Sequence, residues 1–269
     1  MPGRIVLLGH PLGHSLSPLI QNAAIRAAGL DATYVACDVP RSALDRTLDE
    51  LRRERAAGNV TVPYKELVLA RCDRSTDAAR AVGAVNTFWT AIDGARVGDN
   101  TDVGGFQAAA HSLIGEPKAG ESVAVLGAGG GAAAVLFAMK GWPRVSVRLY
   151  SRTRSRAENL VQRIGLDAEV AHTVDAAVAG ATLLVNATPV GLRDETTAVD
   201  VALLEPSCAV LDLAYRTGET ALVRNAKARG LRAMDGLLML VEQGALAFER
   251  WFGIEPDRHA MWKAISARR

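Results

Sequence analysis

Ser122-Val123-Ala124-Val125-Leu126-Gly127-Ala128-Gly129-Gly130-Gly131-Ala132 is the stretch whose reading decides the fold. Its first five residues, mostly apolar, predict a buried strand, and residues 132–140 predict a helix. Between them Gly127, Gly129 and Ala132 stand in the pattern G-x-G-x-x-A. Glycines there allow a tight turn and let a pyrophosphate approach backbone N–H groups, while the helix N-terminus adds favourable partial positive charge. Glycines alone are a weak signal; with a strand before them and a helix after, they predict a dinucleotide site.

Reading outward toward the C-terminus, the next predicted strand, 145–150, ends at Tyr150. An acidic residue at this point would hold a ribose 2′-hydroxyl. The chain instead continues Ser151-Arg152-Thr153-Arg154-Ser155-Arg156. A carboxylate would repel a 2′-phosphate, whereas arginine pairs with it through two N–H bonds. Three arginines at a helix start also oppose the helix dipole unless an anion lies among them. Charge-assisted bonds contribute about 1.5–3 kcal/mol each. Two of them, Arg152 and Arg156, would favour NADP over NAD by ~100-fold after desolvation costs; Arg154 is expected to point outward. Further short apolar runs at 168–170, 183–186, 210–213 and 231–233 alternate with helical segments, which predicts a parallel sheet covered on both faces.

Reading toward the N-terminus, residues 5–9 form a strand pattern. Ser17 before Pro18 suits a helix N-cap followed by the first helical position. Residues 32–39 predict a strand. Leu44, Leu48 and Leu51 lie at helical spacing in a charged segment, predicting a surface helix over 42–57. Residues 58–62 predict a strand closed by Pro63, and 85–90 and 95–98 a pair of strands joined at Asp93-Gly94. A helix over 103–113 leads into the glycine-turn region. A long apolar helix, 236–252, and a last one from Pro256 have no obvious place in the second sheet and are expected to return to the first.

The chain has 269 residues, 49% of them hydrophobic and 22% charged, enough for two compact α/β domains. Its 31 basic and 29 acidic residues leave a net charge of +2, which argues against general binding to nucleic acid or an acidic membrane. Cys37, Cys72 and Cys208 are far apart and read as buried small hydrophobes in a reducing compartment. With no signal-peptide pattern and no apolar run near the roughly 20 residues of a membrane span, the expectation is a cytoplasmic protein. The sequons at Asn59 and Asn186 then carry no glycosylation meaning. His10, His111, His172 and His259 lack metal-ligand spacing, and no metal is expected. His14 beside Ser15 invites a hydrolase reading, but no G-x-S-x-G elbow is present, and His14 reads as a turn residue.

Polar residues crowd the segments that follow the early strands: Ser15 and Ser17, Asn59 and Thr61, Lys65, Asn86-Thr87, and Asn100-Thr101-Asp102. Ligands of open α/β sheets bind beyond the C-terminal strand ends, and hydroxyls and amides suit a polyhydroxylated ligand. Taken singly, each has a structural reading as a cap or turn residue.

Together with their order, these blocks carry a resemblance that covers nearly the whole chain. Gly9-His10-Pro11-Leu12-Gly13-His14-Ser15-Leu16-Ser17-Pro18, Asn59-Val60-Thr61-Val62-Pro63-Tyr64-Lys65, Gly83-Ala84-Val85-Asn86-Thr87 and Asn100-Thr101-Asp102 resemble motifs of the shikimate dehydrogenase family. So do the glycine turn, Ser151-Arg152-Thr153, Asn186-Ala187-Thr188-Pro189-Val190-Gly191, Asp212-Leu213-Ala214-Tyr215 and Gly236-Leu237-Leu238-Met239-Leu240-Val241-Glu242-Gln243. The sequence departs from the family pattern at Gln21, where histidine is usual, at Asp99, where an aromatic is common, and at Ser151, which replaces an asparagine. Gln21 and Asp99 bear on substrate preference, Ser151 on the choice of NADP.

The resemblance implies an α/β protein of two domains with a deep cleft between them. Residues 1–102 and 236–269 would form a substrate domain, and 103–235 a Rossmann-type NADP domain. It implies reversible NADP-dependent reduction of 3-dehydroshikimate to shikimate, with no metal, by a monomer or homodimer. Ser15 and Ser17 would bind the substrate carboxylate; Asn59, Thr61, Asn86, Gln243 and Tyr215 would hold the rest of the substrate. Lys65 and Asp102 would be catalytic, Lys65 stabilising and protonating the alkoxide and Asp102 orienting it. Gly127, Ala128, Gly129, Gly130, Gly131, Ala132, Ser151, Arg152, Thr153, Arg156, Asn186, Ala187, Thr188, Leu213, Tyr215 and Gly236 would hold NADP(H). A quinate or aminoshikimate dehydrogenase and a non-catalytic NADP sensor are the alternatives, with a folate- or amino-acid-type dehydrogenase of similar build more distant.

Overall fold

The computed structural model describes residues 2–13 and 15–266, so the expectation for His14 lies outside the described residues. The chain forms two compact units, Met1–Gly105 with Leu240–Arg269, and Phe106–Met239. The boundaries expected from the sequence, 102/103 and 235/236, fall three and four residues earlier in the chain.

In the first unit the strands are β1 (Ile5–Gly9), β2 (Tyr34–Asp38), β3 (Ala57–Val60), β4 (Arg74–Ser75), β5 (Thr87–Thr90) and β6 (Arg96–Asp99). Their order across the sheet is β2-β1-β3-β5-β6-β4. β1, β2 and β3 run parallel, while β5 is antiparallel to both β3 and β6. This mixture positions the site. The end of β3, the start of β5 and the end of β6 all reach the same edge of the sheet, because Asn59 pairs with Thr87 and Thr87 with Asp99. The end of β1 lies there too.

The helices of this unit include α1 (Ser17–Ala27), α2 (Leu44–Arg53), α3 (Lys65–Leu69) and α4 (Asp77–Val82). Leu44, Leu48 and Leu51 of α2 are each 1% exposed and pack with Val6, Leu8, Val60, Tyr64, Val68 and Phe88. The stripe predicted from their spacing is therefore the buried face, but the helix ends at Arg53, and Ala57 already belongs to β3. Ser17 is not an N-cap: Leu16 occupies that position, and the Ser17 N–H donates to Ser15 Oγ at 3.3 Å. Lys65 opens a short helix rather than lying in a turn. β4 and α4 escape the sequence reading, although α4 is bounded by a Thr76 cap, which accepts from Ala79 N, and by left-handed Gly83.

The second unit holds β7 (Ser122–Leu126), β8 (Ser146–Tyr150), β9 (Ala168–Val170), β10 (Leu183–Asn186), β11 (Ala209–Asp212) and β12 (Ala233–Met234). The order is β12-β11-β10-β7-β8-β9, all parallel. This is the doubly wound arrangement, with its switch point between β7 and β10. Val123, Ala124 and Val125 are fully buried, as a strand covered on both faces requires. The helices are α5 (Asp102–Ile114), whose first turn belongs to the first unit, then α6 (Gly130–Met139), α7 (Arg154–Ile164), α8 (Val174–Val178) and α9 (Ala221–Ala228). Finally α10 (Leu237–Phe252) leads back into the first unit, which α11 (Arg258–Ser266) completes beside α1.

Of the three thiols, all free, only Cys208 is fully buried; Cys37 and Cys72 are half-buried. Burial pushes the Cys72 and Cys208 thiols up to about 11, leaving them protonated at neutral pH.

Candidate active site

Two groups of polar side chains stand out, one in each unit. In the first unit, Lys65 Nζ donates to Asp102 Oδ2 at 2.7 Å, with the two side chains 24% and 11% exposed. α3 supplies the lysine and the N-terminus of α5 the carboxylate, where the helix dipole favours negative charge. The other carboxylate oxygen accepts from Asn86 Nδ2 at 2.8 Å. Asp102 N–H donates to Asn100 Oδ1 at 3.1 Å, and Thr101 N–H to Asn86 Oδ1 at 2.7 Å. The segment from Asn100 to Asp102 is thus clamped to the residue preceding β5.

Asn86 Nδ2 has two hydrogens but three acceptors within reach: Asp102 Oδ1, Thr101 Oγ1 at 3.0 Å and Gln243 Oε1 at 3.2 Å. The longest, to Gln243, is the one a ligand hydroxyl can most readily replace. Gln243 comes from α10 and donates through Nε2 to Leu240 O. Asn59 donates to Asn86 O at 3.2 Å and accepts from the Tyr34 hydroxyl at 2.9 Å. Burial pushes the Tyr34 phenol well above its ordinary range, so it remains a donor, and its ring stacks on Trp251. Among the described residues, Lys65 retains two N–H donors and Asn59 one. The cluster therefore offers a cation, a carboxylate and several amides to one hydroxylated ligand.

The structure thus brings Lys65, Asp102, Asn86, Gln243 and Asn59 into one hydrogen-bonded cluster. Thr61 follows β3 at the same edge, its N–H donating to Leu8 O and its carbonyl accepting from Tyr64 N–H. Ser15, in the segment after β1, and Ser17, the first residue of α1, form a separate pair; that segment is anchored where His10 Nδ1 meets Asp38 Oδ1 at 2.6 Å and Leu12 N–H meets Asp38 Oδ2. These two contacts hold the Asp38 carboxyl below its usual range.

Gln21 is fully buried, and its Nε2 donates to Gly244 O at 2.9 Å. It braces α1 against α10, one residue from Gln243. Asp99, also buried, accepts from Thr76 Oγ1, Asn100 N–H and Arg250 Nε. Both unusual residues support the site's frame. Among residues the sequence reading leaves out of the site are Tyr34 and Arg250; the only trace of Tyr34 there is an aromatic at the start of a strand.

In the second unit, the turn after β7 has the features of a phosphate cradle. Gly127 adopts φ +110°, and a Cβ there would lie 2.9 Å from Ala187 O. A Cβ on Gly129 or Gly130 would meet nothing within 4 Å, so the backbone is open to an approaching group. Ala128 completes the turn, Gly130 and Gly131 open α6, and Ala132 packs fully buried within it. After β8, Ser151 Oγ accepts from Thr153 N–H at 3.4 Å. Arg152 and Arg156 are exposed and, among the described residues, have no side-chain partner. Arg154 is instead engaged with Glu158, Val170 O and His172 Nδ1. α7 has no acid in its first turn to neutralise the free pair.

On the other side of β7, Asn186 Oδ1 accepts from Thr188 Oγ1 at 2.6 Å and from Thr188 N–H, which folds the segment Asn186-Ala187-Thr188 tightly. Leu213 N–H donates to Asn186 O, and Gly236 N–H to Ala214 O. A Cβ on Gly236 would lie 2.2 Å from Leu213 O, so only glycine fits. Tyr215 is half-buried, with its phenol raised by burial. A dinucleotide with its pyrophosphate at the turn extends one half to each side of the switch point. The free arginines stand on the β8 side of that point, and the Asn186–Thr188 and Leu213–Tyr215 segments on the β10 and β11 side.

Among the described residues no group of three or more His, Cys, Asp or Glu could hold a metal ion, and no helix is long and apolar enough to cross a membrane.

Residues 7–88 match the shikimate dehydrogenase substrate binding domain, and residues 236–265 the shikimate 5′-dehydrogenase C-terminal domain. A shikimate dehydrogenase (NADP(+)) of Rubrobacter xylanophilus is 43% identical over 97% of this chain and 94% of its own. The corresponding protein of Thermus thermophilus is 42% identical over 97% of both chains. The crystal structure of shikimate dehydrogenase from Aquifex aeolicus superimposes with a TM-score of 0.91 at 35% identity, covering 97% of this chain and 96% of that one. The Thermus thermophilus shikimate 5-dehydrogenase in complex with NADP(H) and shikimate gives 0.88 at 40% identity over 99% of both. On full-length similarity in sequence and in fold, this chain belongs to the shikimate dehydrogenase family.

Proposed function

We propose that this protein is an NADP-dependent shikimate dehydrogenase, reducing 3-dehydroshikimate to shikimate reversibly. The observation that carries the reading is the Lys65–Asp102 ion pair set among Asn86, Gln243 and Asn59. The open glycine turn and the unpartnered Arg152 and Arg156 fit NADP. Bound NADPH would supply the hydride that turns the ring ketone into an alcohol.

Lys65 directs its free N–H bonds at the ketone oxygen, stabilises the alkoxide that forms and gives it a proton. Asp102 orients Lys65 and accepts a bond from a neighbouring substrate hydroxyl. Asn59, Asn86, Gln243, Thr61 and Tyr215 hold the ring substituents, and Ser15 and Ser17 hold the carboxylate. Gly127, Ala128, Gly129, Gly130, Gly131 and Ala132 would cradle the pyrophosphate. Ser151, Arg152, Thr153 and Arg156 would take the 2′-phosphate, and Asn186, Ala187, Thr188, Leu213, Tyr215 and Gly236 would hold the nicotinamide half. Residues 1–102 and 236–269 act as the substrate domain and 103–235 as the cofactor domain of a cytoplasmic monomer or homodimer.

The test is the absorbance of NADPH at 340 nm, with purified protein and shikimate or quinate, each with NADP⁺ and NAD⁺. Rapid reduction of NADP⁺ with shikimate alone is expected. Turnover with quinate and NAD⁺ only would overturn the substrate and the arginine reading together. Protein that binds NADPH but turns over neither ring would be a sensor rather than an enzyme.

A further inference from the structure

Asp212 ends β11 with its carboxyl fully buried. Oδ1 accepts from Asn186 Nδ2 at 2.8 Å and from Ala214 N–H at 3.1 Å; Oδ2 accepts from Thr220 Oγ1 at 2.7 Å. Thr220 is in turn the N-cap of α9 and accepts from Val223 N–H. Burying a carboxylate is costly, and the strand core alone does not call for one. What the group does is geometric. An ionised carboxylate only accepts hydrogen bonds, so it draws the Asn186 NH₂ toward β11 and leaves Asn186 Oδ1 facing the other way. That oxygen then gathers Thr188 N–H and Thr188 Oγ1, and Thr188 Oγ1 accepts Val190 N–H at 3.2 Å. The second bond to Oδ1 fixes the backbone at Ala214, next to Tyr215. One side chain therefore sets the shape of both segments that follow β10 and β11.

Those two segments lie on the side of the switch point away from the arginines. We propose that Asp212 is a positioning residue for the nicotinamide half of the cofactor, acting through the Asn186 amide and the Ala214–Tyr215 backbone without touching the adenosine half. The proposal rests on the NADP reading above.

Asp212→Asn tests it. An amide in this place presents N–H to one of the donors that now meet an acceptor, and it loosens the Asn186 orientation. Binding is measured by titration calorimetry on the full chain with two probes: NADP⁺, and 2′,5′-ADP, which has the adenosine half alone. The wild type binds both. In Asp212→Asn the Kd for NADP⁺ rises about tenfold, the worth of one oriented bond, while the Kd for 2′,5′-ADP stays within twofold. A general structural role would weaken both probes by the same factor, and that result overturns the proposal. So does an unchanged Kd for NADP⁺. Wild-type protein that binds neither probe would remove the NADP reading itself, a failure distinct from the other two. Should Asp212→Asn not fold, Thr220→Val removes the donor to Oδ2 from a remote helix cap and is read by the same ratio of the two Kd values.

Discussion

Replacing Lys65 by methionine keeps the length of the side chain and removes its charge. In the folded protein the ammonium lies 2.7 Å from Asp102 Oδ2, and among the described residues no other group takes its hydrogens. Two consequences follow from that geometry. The first is on catalysis: with Lys65 the cluster has one cation to stabilise a developing alkoxide and to protonate it, and without it neither. General acid catalysis contributes typically 10²–10⁴-fold, or about 2.7–5.5 kcal/mol of barrier. Steady-state assays with shikimate and NADP⁺ should show kcat reduced by that factor, with KM changed less than about tenfold because Asn59, Asn86 and Gln243 remain. The second is on stability. Among the described residues, the Asp102 side chain, 11% exposed, then keeps one bond, from Asn86 Nδ2, and loses its counter-charge. Stranding a largely buried charge in this way costs about 3–5 kcal/mol, read as a lower melting temperature. The double variant with Asp102→Asn removes the stranded charge, so it should recover much of the stability and none of the turnover. A folded Lys65→Met protein with kcat within tenfold of wild type would refute the assignment.

Arg152→Ala with Arg156→Ala should weaken NADP⁺ by ~100-fold in calorimetry and leave NAD⁺ within about twofold; equal losses for both cofactors would contradict a 2′-phosphate site. Tyr34→Phe leaves the Oδ1 of Asn59, a residue 5% exposed, without its donor. The cost is about 1–3 kcal/mol, felt as a higher KM for shikimate with kcat nearly constant, and an unchanged KM would argue that Asn59 does not meet substrate. Asp212 governs a pH effect on stability. Burial raises its carboxyl above the ordinary value, against the opposing hydrogen bonds from Thr220, Ala214 and Asn186. From the unfolded carboxylate pKa up to the raised folded one, the native state holds a proton that the unfolded chain releases, so stability falls as pH rises through that window. Urea denaturation at a series of pH values from about 4 upward should show wild type losing stability relative to Asp212→Asn, and a difference that is flat or grows with pH would exclude it.

The second unit is readable because its central strands β7, β10 and β11 are buried almost throughout and its glycine turn is a local signal. Every residue of that signal lies within eleven positions. The first unit was harder for identifiable reasons. α3 is too short to show a period, so Lys65 read as part of a turn. β4 has two residues, Arg74 and Ser75, and pairs only by one edge with β6. The expected extent of α2 runs too far because Glu54, Arg55, Ala56 and Ala57 keep a helix-favouring composition beyond Arg53, whereas the chain turns at left-handed Arg55. The site itself is non-local. Asn86 and Gln243 are 157 positions apart and meet because α10 returns to the first unit. Resemblance named both, but spacing could not pair them. Tyr34 and Arg250 act by supporting Asn59 and Asp99, and no pattern in one sequence marks such second partners.

The discontinuous first unit has a consequence for synthesis. Its strands are all made by Asp99, but Gln243, Trp251 and α11 belong to the same unit and emerge only after the whole of Phe106–Met239. At about 5–20 residues per second, the roughly 130 intervening residues take on the order of 7–27 s. Throughout that interval the Tyr34 ring lacks Trp251, Asn86 lacks Gln243 and Gln21 lacks the carbonyl of Gly244. The second unit, uninterrupted in the chain, is ready to fold while the first is still waiting. Nascent chains arrested after Met239 should therefore resist protease across the Rossmann half and be cut within the first hundred residues, a vulnerability that closes only when the last helices leave the ribosome.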